Sequence, residues 1–189
     1  MKRINLRVIK ADQSIYKAVE SYARRRYEEI HDAHIVCVSP IMLVAFLDEK
    51  IVGCLGISPA KAGPMLAESY IDGPITDFLE KLGLTDTHRD ELVEVGSLAA
   101  DNGCIAMLLL TQAPSHLQDG YSYAILTATR LIRRLIRCAG IVTQELAIAR
   151  KQSLPVSRQR GWGRYYTDDP RVLLVDLSWT PALEARCAS

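Results

Sequence analysis

Glu91-Leu92-Val93-Glu94-Val95-Gly96-Ser97-Leu98-Ala99-Ala100-Asp101-Asn102-Gly103-Cys104-Ile105-Ala106-Met107-Leu108-Leu109-Leu110 changes its periodicity midway. Leu92, Val93, Val95 and Leu98 make residues 89–98 a strand candidate. Asp101-Asn102-Gly103 has the composition of a tight loop, and residues 104–112 form a helix. Pro114 lacks an N–H and is expected to kink that helix or force a restart. A strand, a short loop and a helix in this order make half of a crossover unit, which implies a layered α/β arrangement.

Working outward, residues 5–9 read as a first strand. A helix follows, with Asp12 or Ser14 as its cap and Ile15, Val19, Tyr22 and Ile30 on its inner side. Residues 41–47 and 51–57 are apolar runs around the polar turn Asp48-Glu49-Lys50, a hairpin pattern. Gly53 and Gly56 inside the second run mark a bulge or a close backbone approach. Residues 65–70 are expected to form a further short strand, and residues 75–82 a helix ended by Gly83. Beyond the central stretch come a buried strand over 121–127 and an amphipathic helix over 130–138 stopped by Gly140. A Gly161-Trp162-Gly163 turn and a last strand over 172–177 complete the order. The fold class is α+β, layered as α/β, with a mixed sheet and helices on both faces. Residues 1–180 are expected to be one domain, and 181–189 a frayed tail.

Lys and Arg number 23 against 22 Asp and Glu, without the basic excess of a dedicated nucleic-acid binder. Arg24-Arg25-Arg26 and the set Arg130, Arg133, Arg134 and Arg137 remain as local basic clusters. No apolar run approaches the roughly 20 residues a spanning helix needs, so stable membrane insertion is not expected. The first residues carry no apolar export segment, so a cytoplasmic location is expected. There Cys37, Cys54, Cys104, Cys138 and Cys187 stay reduced. No C-x-x-C pair or His cluster offers a metal site.

Three segments carry a family likeness: Pro40 to Ile57 with the trailing Glu68-Ser69-Tyr70-Ile71-Asp72-Gly73-Pro74-Ile75; the run Glu91 to Ala99; and Thr127-Ala128-Thr129 with Trp162-Gly163-Arg164-Tyr165-Tyr166 and Pro170-Arg171-Val172. In this order and spacing the chain resembles the thermostable hemolysin family over about residues 20 to 177. The resemblance implies a fold like that of the GNAT acyltransferases and the acyl-homoserine-lactone synthases. That fold has a mostly antiparallel central sheet with one splayed strand pair, and the pantetheine arm of an acyl donor lies in the gap. It further implies an acyltransferase moving an acyl group from a phosphopantetheine thioester to a small-molecule amine. The phosphate side would fall on Gly96, Ser97, Leu98, Ala99, Asn102, Gly103 and Cys104, since free N–H groups at a helix start favour an anion. The loop departs from the Q/R-x-x-G-x-G/A pattern of those enzymes. It has one glycine and carries Asp101, a composition that suits a single phosphodiester better than a pyrophosphate. Coenzyme A and an acyl carrier protein both remain open as donor. Either a monomer or a homodimer is compatible with the sequence.

Acyl transfer to an amine needs a proton acceptor, donors for the thioester carbonyl and a proton for the leaving thiol. Glu94, a carboxylate in an apolar strand, is the first candidate base, and an ion pair with Arg130 is the structural alternative. Alternation puts Glu94 on one face with Leu92 and Gly96, and Val93 with Val95 on the other. Glu68, Tyr70 and Asp72 form an acid–phenol–acid row that suits a cationic amine or a polar edge, with Glu68 a further catalytic candidate. Tyr165 or Tyr166 is the candidate proton donor, against a packing role. Thr127, Thr129 and Arg130 end a strand where ligands gather in α/β sheets; Thr129 equally reads as a helix cap. Arg133, Arg134 and Arg137 are candidate contacts for an acidic carrier protein, or a solvated face. Cys104, and Cys37 near His31 and His34, are weaker nucleophile candidates, since a free cysteine is more often a small buried hydrophobe. The competing functions are a membrane-active protein using the short basic helix over 130–138, and a binding module without catalysis.

Overall fold

The computed structural model describes residues 3–35, 38–71 and 73–178. The elements are β1 (Ile4–Lys10), α1 (Tyr16–His31), β2 (Ile41–Leu47), β3 (Lys50–Pro59), α2 (Ile75–Lys81), β4 (Leu92–Ala100), α3 (Gly103–Leu117), β5 (Tyr123–Ala128), α4 (Arg130–Cys138), β6 (Gln144–Ile148) and β7 (Arg171–Asp176). The strands form one sheet in the order β1-β2-β3-β4-β5-β7-β6, antiparallel except for the β4–β5 pair. A crossover through α3 is what allows that one parallel pair.

β2 is buried along nearly its whole length because both of its faces are covered. On one face α3 and α4 pack over Leu43, Leu55, Val93, Val95, Leu126 and Val175. On the other, α1 lies over Met42, Val44, Phe46 and Cys54. The turn Leu66–Tyr70 and α2 cover Leu92, Ile125, Val172 and Leu174 on that same side. Gly53 is where α3 presses on the sheet: a Cβ there would sit 2.5 Å from Ile105 Cγ2 and 3.0 Å from Leu109 Cδ1.

β4 is not a regular strand. Cys54 faces Ala99 and Gly56 faces Gly96, so the single residue Leu55 opposes both Ser97 and Leu98. Ser97 sits at φ 48° to make this bulge. A bulge bends its strand and increases the local twist. The parallel ladder runs from Leu92↔Tyr123 to Val95↔Leu126 and goes no further, although both strands continue. β4 and β5 therefore part beyond Val95 and Leu126, leaving a V-shaped gap bounded by Gly96 and Ser97 on one side and Thr127 on the other.

Several expectations need correction. Residues 65–70 are a 3-10 turn, not a strand, because Met65, Leu66 and Ala67 give their N–H groups to the Glu68 and Glu94 carboxylates instead of to a ladder. Neither Asp12 nor Ser14 caps α1. Its N-cap is Ile15, and backbone carbonyls of Lys10, Gln13 and Ile15 serve the nearby donors. α3 runs through Pro114 to Leu117, since the proline falls in the last turn and buries its ring with Ala113 and Leu117. β6, unassigned from sequence, is a five-residue edge strand pairing with β7. The tail 181–189, Cys37 and Asp72 lie outside the described residues.

Two ionic clusters tie the periphery. The Arg89 guanidinium binds Glu68 and the carbonyls of Ala60 and Gly63. Arg133 and Arg171 converge on Asp169, joining α4 to the start of β7. Burial pushes the Glu68 carboxyl up, but hydrogen bonds from Arg89, Ile75 and Met65 bring it below its ordinary value. A depressed carboxylate contributes stability above its unfolded pKa that is lost as pH falls through the folded one. Arg89→Met is expected to cost about 2 kcal/mol at neutral pH, and the difference from wild type should shrink in acid, by urea denaturation at two pH values. Gly53→Val should cost about 1–3 kcal/mol, read as a lowered Tm.

Candidate functional site

The gap between β4 and β5 gathers most of the candidate residues. Alternation from the Glu94↔Ile125 pair places Glu94, Gly96, Ile125 and Thr127 on the face covered by the 66–70 turn. Glu94 does not pair with Arg130. Its Oε2 accepts the Leu66 N–H and its Oε1 the Ala67 N–H, both at 2.8 Å. Burial raises the Glu94 pKa, the two N–H groups pull it down, and nearby Glu68 pushes it up, for a net rise. The carboxyl thus anchors the turn and is also tuned toward accepting a proton nearer neutrality.

Above Glu94 the strand offers space. Among the described residues, nothing beyond Gly96 and its two chain neighbours lies within 4 Å of where a Gly96 Cβ would stand. Across the gap, the Thr127 Oγ1 is buried and has no hydrogen-bond partner among the described residues. The Thr127 carbonyl accepts from the Tyr165 hydroxyl at 3.2 Å. Tyr165 and Tyr166 stand in the turn Tyr165–Asp168 before β7, not in a strand. The Tyr166 hydroxyl meets that of Tyr70 at 2.6 Å, and Trp162 packs against both Tyr165 and Tyr166. Burial raises the Tyr70, Tyr165 and Tyr166 pKa values, and the Glu94 charge adds to the rise at Tyr70 and Tyr165. These phenols remain protonated donors at neutral pH. Glu68 lies behind them, committed to Arg89, Met65 and Ile75.

The open end of the gap is bordered by the first turns of α3 and α4. Asn102 caps α3 by accepting the Ile105 N–H at 3.1 Å. Asn102, Gly103 and Cys104 are exposed, whereas Ala99 is buried and Leu98 packs toward α3. The Asp101 carboxylate lies 2.9 Å from the Tyr22 hydroxyl, and Arg26 donates to the Ala100 carbonyl through Nε at 3.2 Å and Nη2 at 2.9 Å. Sequence reasoning missed both Tyr22 and Arg26, whose contacts lie some eighty residues away. Thr129 stands at the N-cap of α4, buried, but its side chain makes no capping bond. Arg130, Arg134 and Arg137 are exposed. Arg133 is turned inward to Asp169 and the Ala128 carbonyl, so it does not share their surface.

At the crotch of the gap, Val95 and Leu126 also line an apolar cavity of about 40 Å³ under α3 and α4, closed by Leu55, Leu110, Ala113 and Ile136. A second, open cleft of about 480 Å³ lies over the Glu68–Arg89 pair, edged by Gly63, Pro64, Gly73 and Pro74. Among the described residues no group of His, Cys, Asp and Glu could hold a metal ion, and no helix is long and apolar enough to cross a membrane.

Comparison with solved structures places this architecture among the acyl-homoserine-lactone synthases and their relatives. The AHL synthase LasI superposes with a TM-score of 0.62 at 12% identity, over 95% of this chain and 93% of its own. FeeM, an N-acyl amino acid synthase from uncultured soil microbes, gives 0.66 at 14% identity, over 94% and 93%. BjaI, a CoA-dependent acyl-homoserine lactone synthase with SAM and isopentyl-CoA, gives 0.58 at 14% identity, over 93% and 84%. At these identities the likeness is one of fold. No curated protein matches the chain in sequence. The family model described as thermostable hemolysin matches residues 9–180, so the chain belongs to the thermostable hemolysin family.

Proposed function

We propose that this protein is an N-acyltransferase that moves an acyl group from a phosphopantetheine thioester to the amine of a small-molecule acceptor. The observation that carries the reading is the parting of β4 from β5 beyond Val95 and Leu126, directly over an aliphatic cavity. The two strand edges, no longer paired with each other, flank a path for an extended amide-bearing arm, and the cavity offers apolar walls to the acyl chain. The solved structures of the same fold, an N-acyl amino acid synthase and a CoA-dependent acyl-homoserine lactone synthase, support it.

In this mechanism the acceptor nitrogen attacks the thioester carbonyl on the Glu94 side of the sheet, where the space above Gly96 receives it. A new C–N bond forms as the C–S bond breaks. Glu94 takes the ammonium proton, and a phenol of the Tyr165–Tyr166 pair supplies the leaving sulfur with one. Thr127 Oγ1 and the Gly96–Ser97 backbone hold the donor, while the exposed start of α3 at Asn102, Gly103 and Cys104, with Thr129 and Arg130 opposite, takes its phosphate. Glu68 and Tyr70 act by setting the 66–70 turn against the site, and Asp72 is assigned to binding the acceptor amine on the ground of its charge alone. An acyl carrier protein or coenzyme A is the donor, and exposed Arg134 and Arg137 are the carrier contacts left once Arg133 is committed to Asp169.

Mass-spectrometric assay of the purified chain with acyl-coenzyme A and acyl-carrier donors, against amino acids and other amines, tests the reading. An N-acyl product is expected, and no product with either donor class would overturn it. With the donor identified, kcat/KM should fall as pH drops through a value above the ordinary carboxylate range, because protonated Glu94 cannot accept a proton. Glu94→Gln should lower kcat by roughly 10²-fold or more and remove that inflection. Ala113→Leu, which fills the cavity, should lower kcat/KM for long acyl donors by about 10-fold or more relative to acetyl, in a side-by-side comparison of donors.

A further inference from the structure

The segment joining β6 to β7 carries a charge pattern that acyl transfer does not use. Among residues 149–170 there are five basic residues, Arg150, Lys151, Arg158, Arg160 and Arg164, and the acids are Asp168 and Asp169 at the far end, in a chain whose net charge is only +1. The segment is folded: Ala149 and Leu154 are buried, and Trp162 and Tyr166 pack on the core. Its turns are held by bonds from Trp162 Nε1 to the Arg158 carbonyl and from Gln159 Nε2 to the Leu154 carbonyl, each 2.8 Å. Projecting from it is Val156, 81% exposed and, among the described residues, the most exposed of the large apolar side chains, beside exposed Pro155. Arg150, Arg158 and Arg160 are exposed around it and form no ion pair among the described residues.

Register fixes where this segment leaves the sheet. Arg171 pairs with Ile148 on one side and Ala128 on the other, so the segment springs from the end of the sheet where β5 stops and α4 begins. That end also presents exposed Arg130 and Leu131, the latter 64% exposed, and it is the open end of the β4–β5 gap. The nearby acids are largely engaged. Asp169 is held by Arg133 and Arg171 and Asp101 by Tyr22, whereas Asp168 is exposed and lies 3.4 Å from His31, a ring whose burial lowers its pKa.

We propose that this end of the molecule docks reversibly on an anionic membrane surface. Val156 and Leu131 would enter the headgroup layer, with Arg130, Arg150, Arg158 and Arg160 on lipid phosphates. A protruding aliphatic side chain collared by unpaired cations suits a fluid, anionic interface, which needs no shaped pocket to receive it. A protein partner would instead have to bring a cavity fitted to Val156 and acids in register with four arginines spread over two elements. The proposal shares Arg130 with the phosphate side of the gap, but its test reads Arg158, Arg160 and Val156, which acyl transfer does not use, so its failure would leave the acyltransferase reading untouched.

The test is co-sedimentation of the full chain with large unilamellar vesicles of phosphatidylglycerol and phosphatidylcholine, against phosphatidylcholine alone. Binding to the anionic vesicles is expected, without release of trapped dye, and weaker by about tenfold or more between 50 and 300 mM salt. Each cation near an anionic bilayer strengthens partition about fivefold, so R158E/R160E should lower it by about 100-fold or more. Val156→Asp should lower it severalfold, and far-UV circular dichroism confirms that both variants fold. The proposal is overturned if anionic vesicles leave the protein in the supernatant or bind wild type and R158E/R160E alike. Saturable one-to-one binding to an acidic acyl carrier protein with no vesicle binding, or dye release marking insertion, would equally overturn it.

Discussion

The bulge at Ser97 is the constraint from which the candidate site follows. Two residues of β4 must be fitted against one of β3, and a serine held at φ 48° absorbs the mismatch. The strand turns away from β5 just after Val95, and the parallel ladder has nowhere to continue. Close packing elsewhere keeps this from being repaired by a shift of the sheet. α3 rests on Gly53 with no room for a methyl group, and Gly56 is pressed by Ser39 and Ser97. The open edge is thus stabilised by neighbours that are themselves tightly packed.

The same economy holds for the acidic residues. Glu94 and Glu68 both spend their oxygens on backbone N–H groups of the 65–75 segment, and Arg89 holds Glu68 from the other side. Their effect on the pKa values is opposite because their surroundings differ. Glu94 has only neutral donors and deep burial, whereas Glu68 has a guanidinium. Two carboxylates with divergent pKa values side by side are a common way of separating a proton acceptor from a structural anion.

Much of the frame was legible in the chain. The β2–β3 hairpin, β4, α3, β5 and α4 are long or strongly periodic, and their burial follows the pattern of their own side chains. The face shared by Glu94 and Leu92 could be read from alternation alone. What escaped were features set by distant partners. The 65–70 segment is short and reads as a strand, but its Leu66 and Ala67 donors are taken by a carboxylate from β4. β6 is short, half-polar and identifiable only through its register with β7. The helix over 130–138 reads as a uniform basic face, yet Arg133 is drawn inside by Asp169, thirty-six residues on. The thermostable hemolysin likeness, by contrast, was visible in short motifs and extends over residues 9–180.

One connection bears on how the chain reaches this state. Gly163 lies so close to the carbonyls of His31 and Asp32 that no side chain fits between, and Arg164 donates to His31 and, across 134 positions of sequence, to Ile30. The aromatic wall of the gap, Trp162 with Tyr165 and Tyr166, is fastened at this clasp to the end of α1. Closing so long a loop is slow and rewards the chain only when both ends are already shaped. The gap is therefore complete only when this long-range clasp is closed, and a chain lacking the clasp would carry Glu94 without its aromatic wall.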